Sequence, residues 1–363
     1  MTTLQDVFQT SGATLAPDGI PLHFGDIAGE YMAAAEAAVL FDRSHEGRIA
    51  LSGDDRFDLI NRMSTNNILN MGVGAGRSTV FTNPNGRIID RVIGFSRADE
   101  TLLLLAGPGR GEALQNYLQR NIFFNDAVTL ASLNAKTCQF ALHGPKAGEV
   151  LAEIVPEVAD LEVNQSADVQ TAQGIEFFVV RRQPYSGTHY NVIVSQTDAP
   201  AMWALLAEAG QPFGLRPSGG LVYNALRIAT GQPGTGHELS SDYIPLEVGL
   251  WNDISFNKGC YTGQEIIARM ESRERVARTI VHLTAESAIP QVADLYDEGK
   301  KVGSVTSSVT TPTGEHVAIA VVKVAAAQPE RHLQINTDGN QSTQIVSLLG
   351  EQPPFLIENT SAS

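Results

Sequence analysis

Lys258-Gly259-Cys260-Tyr261-Thr262-Gly263-Gln264-Glu265 is the segment around which the rest of the chain is organised. Thr262 and Glu265 stand three residues apart, which is the spacing of a capping box at the start of a helix. Apolar residues recur at helical spacing directly behind Glu265, as expected for the buried face of a short helix. The segment therefore predicts a helix that begins just after Cys260.

Cys260 is the candidate for reactive chemistry in this segment. The positive end of the predicted helix and the ammonium group of Lys258 both favour the thiolate, which would lower the pKa of Cys260. Gly259 and Gly263 flank the cysteine and would let the backbone approach a ligand closely. The residues alone leave one alternative open, an ordinary capped helix beside a buried and inert cysteine.

The composition describes a globular protein of 363 residues, 43% of them hydrophobic, with room for two or three domains. The apolar runs are too short to cross a bilayer and the N-terminus lacks a secretory pattern, so we expect neither membrane insertion nor secretion. A net charge of −15 disfavours general nucleic-acid binding. Two cysteines, neither with a Cys or His at metal-ligand spacing, indicate a reducing cytoplasm and no protein-only zinc or iron–sulfur site.

Asp90 is a second candidate, in the second strand of a predicted hairpin that turns at Asn85-Gly86. Apolar residues flank Asp90 on both sides, and burial among them would raise the pKa of its carboxyl group. Alternation along the strand, with Asp90 facing solvent, explains the same pattern equally well.

The order of the predicted elements gives an α+β fold class. Residues 1–142 predict a first α+β module, and residues 143–275 predict a second one that carries the segment 258–265, with interchange of chain segments between the two allowed. Residues 276–355 contain six short strands separated by turns, which predict a C-terminal antiparallel β-barrel.

The segment 258–265, with Glu247-Val248-Gly249-Leu250 and Ile254-Ser255-Phe256 before it, resembles the signature of the YgfZ proteins. These form the folate-binding branch of the glycine-cleavage T-protein (aminomethyltransferase) superfamily. The resemblance covers nearly the whole chain and includes an Asp42-x-Ser44-His45 pattern, in which we interpret His45 as part of a structural polar group. It implies a T-protein-like arrangement of two α+β modules and the barrel around a central folate cavity.

The resemblance also implies roles for single residues. Asp90 matches the first aspartate of a Gly-Gly-x-x-Asp-Asp segment, and is the candidate catalytic or folate-polarising carboxylate. Asn191 takes the place of the glutamate that holds the pterin ring in aminomethyltransferases, and a neutral amide forgoes the charge-assisted hydrogen bond. Arg227 lies in a segment similar to the family's Leu-Arg-x-x-x-Gly helix, where it either binds an anion or is structural.

The residues around Cys260 complete the predicted site. We expect Cys260 to be the catalytic thiol, in redox or adduct chemistry, with Lys258 tuning it. Tyr261 and Gln264 are expected to position the thiol or close the cavity, and all three neighbours are assigned to cofactor binding.

Three functions follow from the resemblance. The leading one is a protein that binds tetrahydrofolate, or a one-carbon derivative of it, and supports iron–sulfur cluster assembly or repair, with iron–sulfur enzymes or carriers as partners. The second is a folate-dependent aminomethyl or one-carbon transferase, supported by Asp90. The third is a non-catalytic scaffold for iron–sulfur clients, so the sequence leaves open whether the protein is an enzyme.

Overall fold

The computed structural model describes residues 3–336, 341–353 and 355–356. Its α-helices are α1 (Leu4–Thr10), α2 (Ile27–Glu36), α3 (Arg56–Met63), α4 (Gly111–Gln119), α5 (Ala147–Ala152), α6 (Ala199–Gly210), α7 (Gly220–Ala229) and α8 (Gln264–Ser272). In the described part of the chain, no helix is long and apolar enough to cross a membrane.

A six-stranded sheet has the order β10-β11-β12-β9-β3-β13, antiparallel except for the parallel pair of β13 and β3. Its strands are β3 (Val39–Asp42), β9 (Thr137–Gly144), β10 (Ser166–Gln170), β11 (Glu176–Arg181), β12 (Thr188–Ser195) and β13 (Arg216–Ser218). The aromatic rings of Trp203, Phe140 and Phe8 meet edge to face in the core beneath it. A short antiparallel pair, β1 (Thr14–Leu15) and β2 (Pro21–His23), precedes the sheet in the chain.

A second sheet has five strands in the order β5-β6-β7-β4-β8. These are β4 (Glu46–Ser52), β5 (Gly76–Thr82), β6 (Ile88–Ser96), β7 (Leu102–Pro108) and β8 (Thr129–Ser132). The predicted hairpin is confirmed as β5 and β6, and Gly86 in its turn has a φ of 70°, a conformation that favours glycine. Phe95 of this sheet packs against Phe178 of the six-stranded sheet in a shared hydrophobic core.

The C-terminal strands close into a barrel of order β14-β17-β16-β15-β18-β19, with antiparallel neighbours. They are β14 (Arg278–Ala285), β15 (Ala293–Asp297), β16 (Lys300–Thr310), β17 (His316–Lys323), β18 (His332–Ile335) and β19 (Gln341–Leu348). Alternate apolar residues, such as Val281 and Leu283 of β14, fill its interior. The predicted α+β class with a six-stranded barrel is confirmed, although residues 337–340 and 354 of its predicted range lie outside the described residues.

The chain divides into two compact units that differ from the predicted domains. Unit 1 holds the described residues up to 59, residues 68–77 and residues 92–226, and it contains the whole six-stranded sheet. Unit 2 holds residues 60–67, 78–91 and the described residues from 227 onward, including the barrel. The predicted boundary at 142 falls inside β9, because β9 pairs with β3 from the first predicted module and with β12 from the second.

Candidate functional site

Lys258 anchors the segment 258–265 to the end of α3 in unit 2. Its ammonium group donates hydrogen bonds to the backbone carbonyl oxygens of Asn61, Ser64 and Asn66, the last two at 2.7 Å. Burial lowers the pKa of Lys258 to about 8, while the three carbonyl oxygens stabilise the charged form. An ammonium group has three N–H donors, and these three carbonyl oxygens account for all of them. The contacts give Lys258 a structural role, and its assignment to cofactor binding stays a prediction.

The predicted helix is present as α8, but Cys260 does not lie directly before it. The helix α8 begins at Gln264, and its N-cap is Gly263, which has a φ of 85° and contributes no side-chain cap. The predicted capping box is wrong because Gly263, and not Thr262, is the N-cap. The backbone carbonyl of Thr262 accepts a hydrogen bond from the Thr82 hydroxyl, 2.5 Å away. The Cys260 side chain is exposed, which also excludes the buried, inert cysteine of the alternative interpretation.

Tyr261 and Gln264, which follow Cys260 in the chain, are less exposed than the cysteine. Tyr261 is buried in an apolar cluster with Ile267 of α8, and burial raises the pKa of its hydroxyl group to about 12. Its ring also lies 5.3 Å from the Lys258 ammonium, within range of a cation–π interaction. Gln264 is half-buried at the first position of α8. The structure thus shows Tyr261 packed in the core, and its assignment to cofactor binding stays a prediction.

Asp253 is a polar centre of unit 2 that the sequence analysis missed. Its buried carboxylate pairs with Arg91 at 2.5 Å and accepts a hydrogen bond from the Ser78 hydroxyl. Its backbone carbonyl accepts a hydrogen bond of 2.6 Å from the Thr65 hydroxyl. Asp253 thereby joins β5, β6 and the segment after α3. The adjacent Ile254-Ser255-Phe256 stretch was the only signal in the sequence that pointed to this position.

Asp90 lies on the buried side of β6, between Ile88 and Val92. Its side chain accepts a hydrogen bond of 2.9 Å from the backbone N–H of Arg91. The predicted burial of Asp90 is confirmed, and the alternative, a solvent-facing carboxylate, is wrong. Burial makes any charge on this carboxylate costly unless polar groups compensate it. Its catalytic or folate-binding role stays a prediction.

Arg227 is held within unit 2 by a buried ion pair. Its guanidinium group lies 3.3 Å from the Glu238 carboxylate and donates a hydrogen bond of 3.1 Å to the Ser307 hydroxyl. The Ser307 hydroxyl in turn donates to Glu238 at 2.7 Å, and the backbone N–H of Gly234 also donates to Glu238. Of the two interpretations of Arg227, these contacts favour the structural one over the binding of an external anion.

Asn191 lies on β12 in unit 1, buried beside His189. His189 Nδ1 lies 3.1 Å from the Gln183 carbonyl oxygen, and its Nε2 lies 2.8 Å from the side-chain carbonyl oxygen, Oδ1, of Asn191. Burial, reinforced by the charge of Arg182, lowers the pKa of His189 to about 3, so the ring is neutral near pH 7.

The Asn191 side chain meets His189 through its carbonyl oxygen, Oδ1. A carbonyl oxygen has two lone pairs, so Oδ1 can accept a second hydrogen bond. The NH₂ group of Asn191 has no hydrogen-bond partner among the described residues. The Asn191 amide therefore keeps both an acceptor site and two donors for further hydrogen bonds.

His143 stacks on His189 in a buried aromatic cluster that the sequence analysis did not predict. The rings of His143 and His189 stack with 3.6 Å between centroids, and Tyr185 stacks on His143 at 5.2 Å. The Tyr185 and Tyr223 hydroxyl groups lie 3.1 Å apart. Burial lowers the pKa of His143 well below its usual range, and both of its ring nitrogens lack a partner within the described ranges.

A buried ion pair borders this aromatic cluster. The guanidinium group of Arg43 lies 3.7 Å from the centroid of the Tyr223 ring and donates to the Glu46 carboxylate at 2.8 Å. Gln139 donates to the other Glu46 oxygen at 2.6 Å. The cluster therefore combines flat aromatic surfaces with fixed charges and with the Asn191 amide, whose NH₂ group has no partner among the described residues.

Two protein-family models match this chain, one in its N-terminal part and one in its C-terminal part. Residues 8–258 match the GCVT N-terminal domain, and residues 278–349 match the glycine cleavage T-protein C-terminal barrel domain. A chloroplastic protein of Arabidopsis thaliana, named as a putative transferase, is 31% identical over 353 residues, which cover 96% of this chain and 80% of that protein. An aminomethyltransferase of Streptomyces avermitilis is 30% identical over 337 residues, 90% of each chain.

A solved structure has the same fold. The glycine cleavage system aminomethyltransferase T of Bartonella henselae superposes with a TM-score of 0.83 at 23% sequence identity, and the match covers 97% of both chains. The arrangement of elements described above is therefore that of a known protein over nearly its full length.

Proposed function

The chain belongs to the glycine cleavage T-protein family, and we propose from this premise that it binds tetrahydrofolate or a one-carbon derivative of it. Relatives that cover most of its length are named aminomethyltransferases, and enzymes of that kind use tetrahydrofolate.

The observation that carries the folate proposal is the hydrogen-bonding state of Asn191. A pterin ring presents an amino group and a ring N–H as donors, and both need an acceptor in the protein. The carbonyl oxygen of Asn191, which lies 2.8 Å from His189 Nε2, has a second lone pair that can be that acceptor. The change from the glutamate of the aminomethyltransferases to Asn191 then removes a charge but keeps an acceptor, so we expect weaker binding rather than none.

We further propose that the protein is of the YgfZ type and supports the assembly or repair of iron–sulfur enzymes. The support is the way in which the segment 258–265 displays Cys260. Lys258 before it is tied down by three hydrogen bonds, Tyr261 after it is buried, and the Cys260 side chain between them is exposed. Such an arrangement presents a thiol to a partner from a fixed backbone.

Complementation tests this role. In cells that lack the gene, we expect the wild-type chain to restore the activity of iron–sulfur enzymes and the Cys260→Ser variant to fail. Cys138→Ser is the matched control, because Cys138 is buried in unit 1 and outside the segment 258–265. Full restoration by Cys260→Ser, with the variant present at the wild-type level, would remove the thiol from the proposal.

One-carbon transfer is the second candidate, and the burial of Asp90 favours it. A buried carboxylate can orient the folate amine that attacks the one-carbon unit, and it acts by position and electrostatics without forming a covalent bond. The assay is transfer of a one-carbon unit to tetrahydrofolate by wild type and by Asp90→Asn. A rate above background that falls about 100-fold in Asp90→Asn is expected of a transferase.

The two assays also separate these functions from the scaffold. A scaffold would restore iron–sulfur enzymes with Asp90→Asn as well as with wild type, and would transfer no one-carbon unit. A loss of restoration in Asp90→Asn, with the melting temperature unchanged, would instead favour chemistry at this carboxylate.

A further inference from the structure

A cleft of about 610 Å³ in unit 1 has none of the proposed folate or thiol residues in its lining. Its walls come from α1, from the turn before β2, from the start of β9 and from residues 196–200. Among the residues that the structure describes, the charged side chains that line it are Asp18 and Asp42, with no lysine or arginine. The volume is that of a small-molecule site.

Asp42 lies in the wall of this cleft, and only one of its two carboxylate oxygens accepts hydrogen bonds from the described residues. Its side chain is buried, and Oδ1 accepts hydrogen bonds from the backbone N–H of Ser44 at 2.9 Å and from the Ser44 hydroxyl. The hydroxyl group of Ser44 is itself held by the backbone N–H of Gln139 at 3.1 Å. Oδ2 of Asp42 accepts no hydrogen bond from any residue that the structure describes. One oxygen is thus fixed and the other is unused.

Two arginines, Arg43 and Arg48, lie near Asp42, but both make their hydrogen bonds to other groups. Arg43 pairs with Glu46. Arg48 donates to the backbone carbonyls of Ser44 and Glu46 and to Thr137. Their charges lower the pKa of Asp42 less than burial raises it, and the resulting value is about 6. Asp42 forms no ion pair with any residue in the described part of the chain, and a charge on a buried carboxylate without such a partner is costly.

We propose that this cleft binds a small organic cation that carries N–H donors, such as a primary ammonium group attached to an apolar body. The ammonium group would donate to Oδ2 of Asp42, with Asp18 adding negative charge to the wall. Phe8, Ile20 and Pro200 supply apolar surface for the body of the ligand. The cation would complete the hydrogen bonding that the protein leaves open at Asp42.

Titration with benzylamine at pH 7.5, followed by ligand-observed NMR on the full chain, tests the proposal. We expect saturable binding with a dissociation constant of about 1 mM or tighter. Benzyl alcohol, which has nearly the same shape but no charge, should bind about tenfold more weakly or not at all. Absence of saturable benzylamine binding, or equal binding of the two probes, would overturn the proposal.

Substitutions in the lining test whether benzylamine binds in the cleft. Asp42→Asn keeps the Oδ1 acceptor for Ser44 and removes the charge, so the affinity for benzylamine should fall about tenfold or more. Asp54→Asn, which changes an exposed carboxylate in the same unit, is the control and should bind as wild type does. Equal affinities of wild type and Asp42→Asn would contradict the assignment.

A second variant decides the question if Asp42→Asn does not fold. Thr197 is exposed where it lines the cleft, so Thr197→Trp should fold and fill the entrance. We expect it to weaken benzylamine binding about tenfold. An unchanged affinity would show that benzylamine binds somewhere else, and the cleft would then not be the site. Folate binding plays no part in these measurements, so they stand or fall separately from the proposed function.

Discussion

The ammonium group of Lys258 donates a hydrogen bond of 2.7 Å to the backbone carbonyl oxygen of Asn66. The same ammonium group reaches the carbonyl oxygens of Ser64 and Asn61, so a single side chain joins the segment that carries Cys260 to the end of α3. Lys258 therefore holds in place the backbone of the segment that presents the exposed thiol of Cys260.

Replacement of Lys258 by methionine should destabilise the protein. The change leaves three carbonyl groups without a donor, and we expect a loss of about 2 kcal/mol, or about 4–8 °C in the melting temperature of unit 2. Differential scanning calorimetry measures it. Lys146→Met is the matched control, because Lys146 makes a half-exposed pair with Glu149 and should change stability by less than about 0.5 kcal/mol. Equal effects of the two substitutions would contradict the anchoring role.

Stability should fall as the pH drops below about 6.5, because burial lowers the pKa of His189 to about 3 and that of His143 well below its usual range. Between the unfolded and folded pKa values the unfolded chain binds more protons, so acid favours unfolding. Each histidine should contribute a slope of up to about 1.4 kcal/mol per pH unit.

Urea unfolding at pH 7.5, 6.0 and 5.0 measures this slope. His189→Gln should make it shallower, whereas His332→Gln, at an exposed position in β18, should leave it unchanged. A free energy of unfolding that is flat from pH 7.5 to 5.0 would be inconsistent with two neutral buried histidines.

The Arg227–Glu238 pair should behave as a buried structural ion pair. Arg227→Met leaves the Glu238 carboxylate buried without its partner and should cost about 3–5 kcal/mol. In the double variant Arg227→Met/Glu238→Gln the uncompensated charge is gone, so a large part of the loss should be recovered. Thermal unfolding of the two variants gives the comparison. A double variant less stable than Arg227→Met would show that the charge of Glu238 is not the source of the loss.

The two thiols should differ in reactivity. Cys260 is exposed, whereas Cys138 is buried and burial raises the pKa of its thiol, so a disulfide reagent should modify Cys260 first. Mass spectrometry of the native protein should find one fast modification, and the second should require unfolding. Rapid modification of Cys138 in the Cys260→Ser variant would contradict its burial.

The local features of the fold could be predicted from the sequence. Period-two alternation predicted the barrel strands, and Asn85-Gly86 predicted the β5–β6 hairpin, because both signals lie in neighbouring residues. The burial of Asp90 followed from its apolar neighbours in the same way.

The errors came from contacts between residues distant in the chain. The capping box at Thr262 failed because Gly263 takes the N-cap position, in a segment where the Thr262 carbonyl accepts a hydrogen bond from the distant Thr82 of β5. The structural contacts of Lys258 were not predicted because nothing near it in the sequence indicates three carbonyl oxygens from residues 61–66. The stack of His143 on His189 was missed for the same reason, since β9 and β12 become neighbours only in the folded sheet.

Calorimetric titration of the reduced protein with tetrahydrofolate and its 5-formyl derivative tests the central claim most directly. We expect micromolar binding by wild type, about −8 kcal/mol, and an affinity at least about tenfold weaker in Asn191→Ala, with the exposed Asn116→Ala as a control that binds like wild type. Calorimetric unfolding of each variant verifies its fold. No binding of either folate by wild type, or an unchanged affinity in Asn191→Ala, would contradict the account.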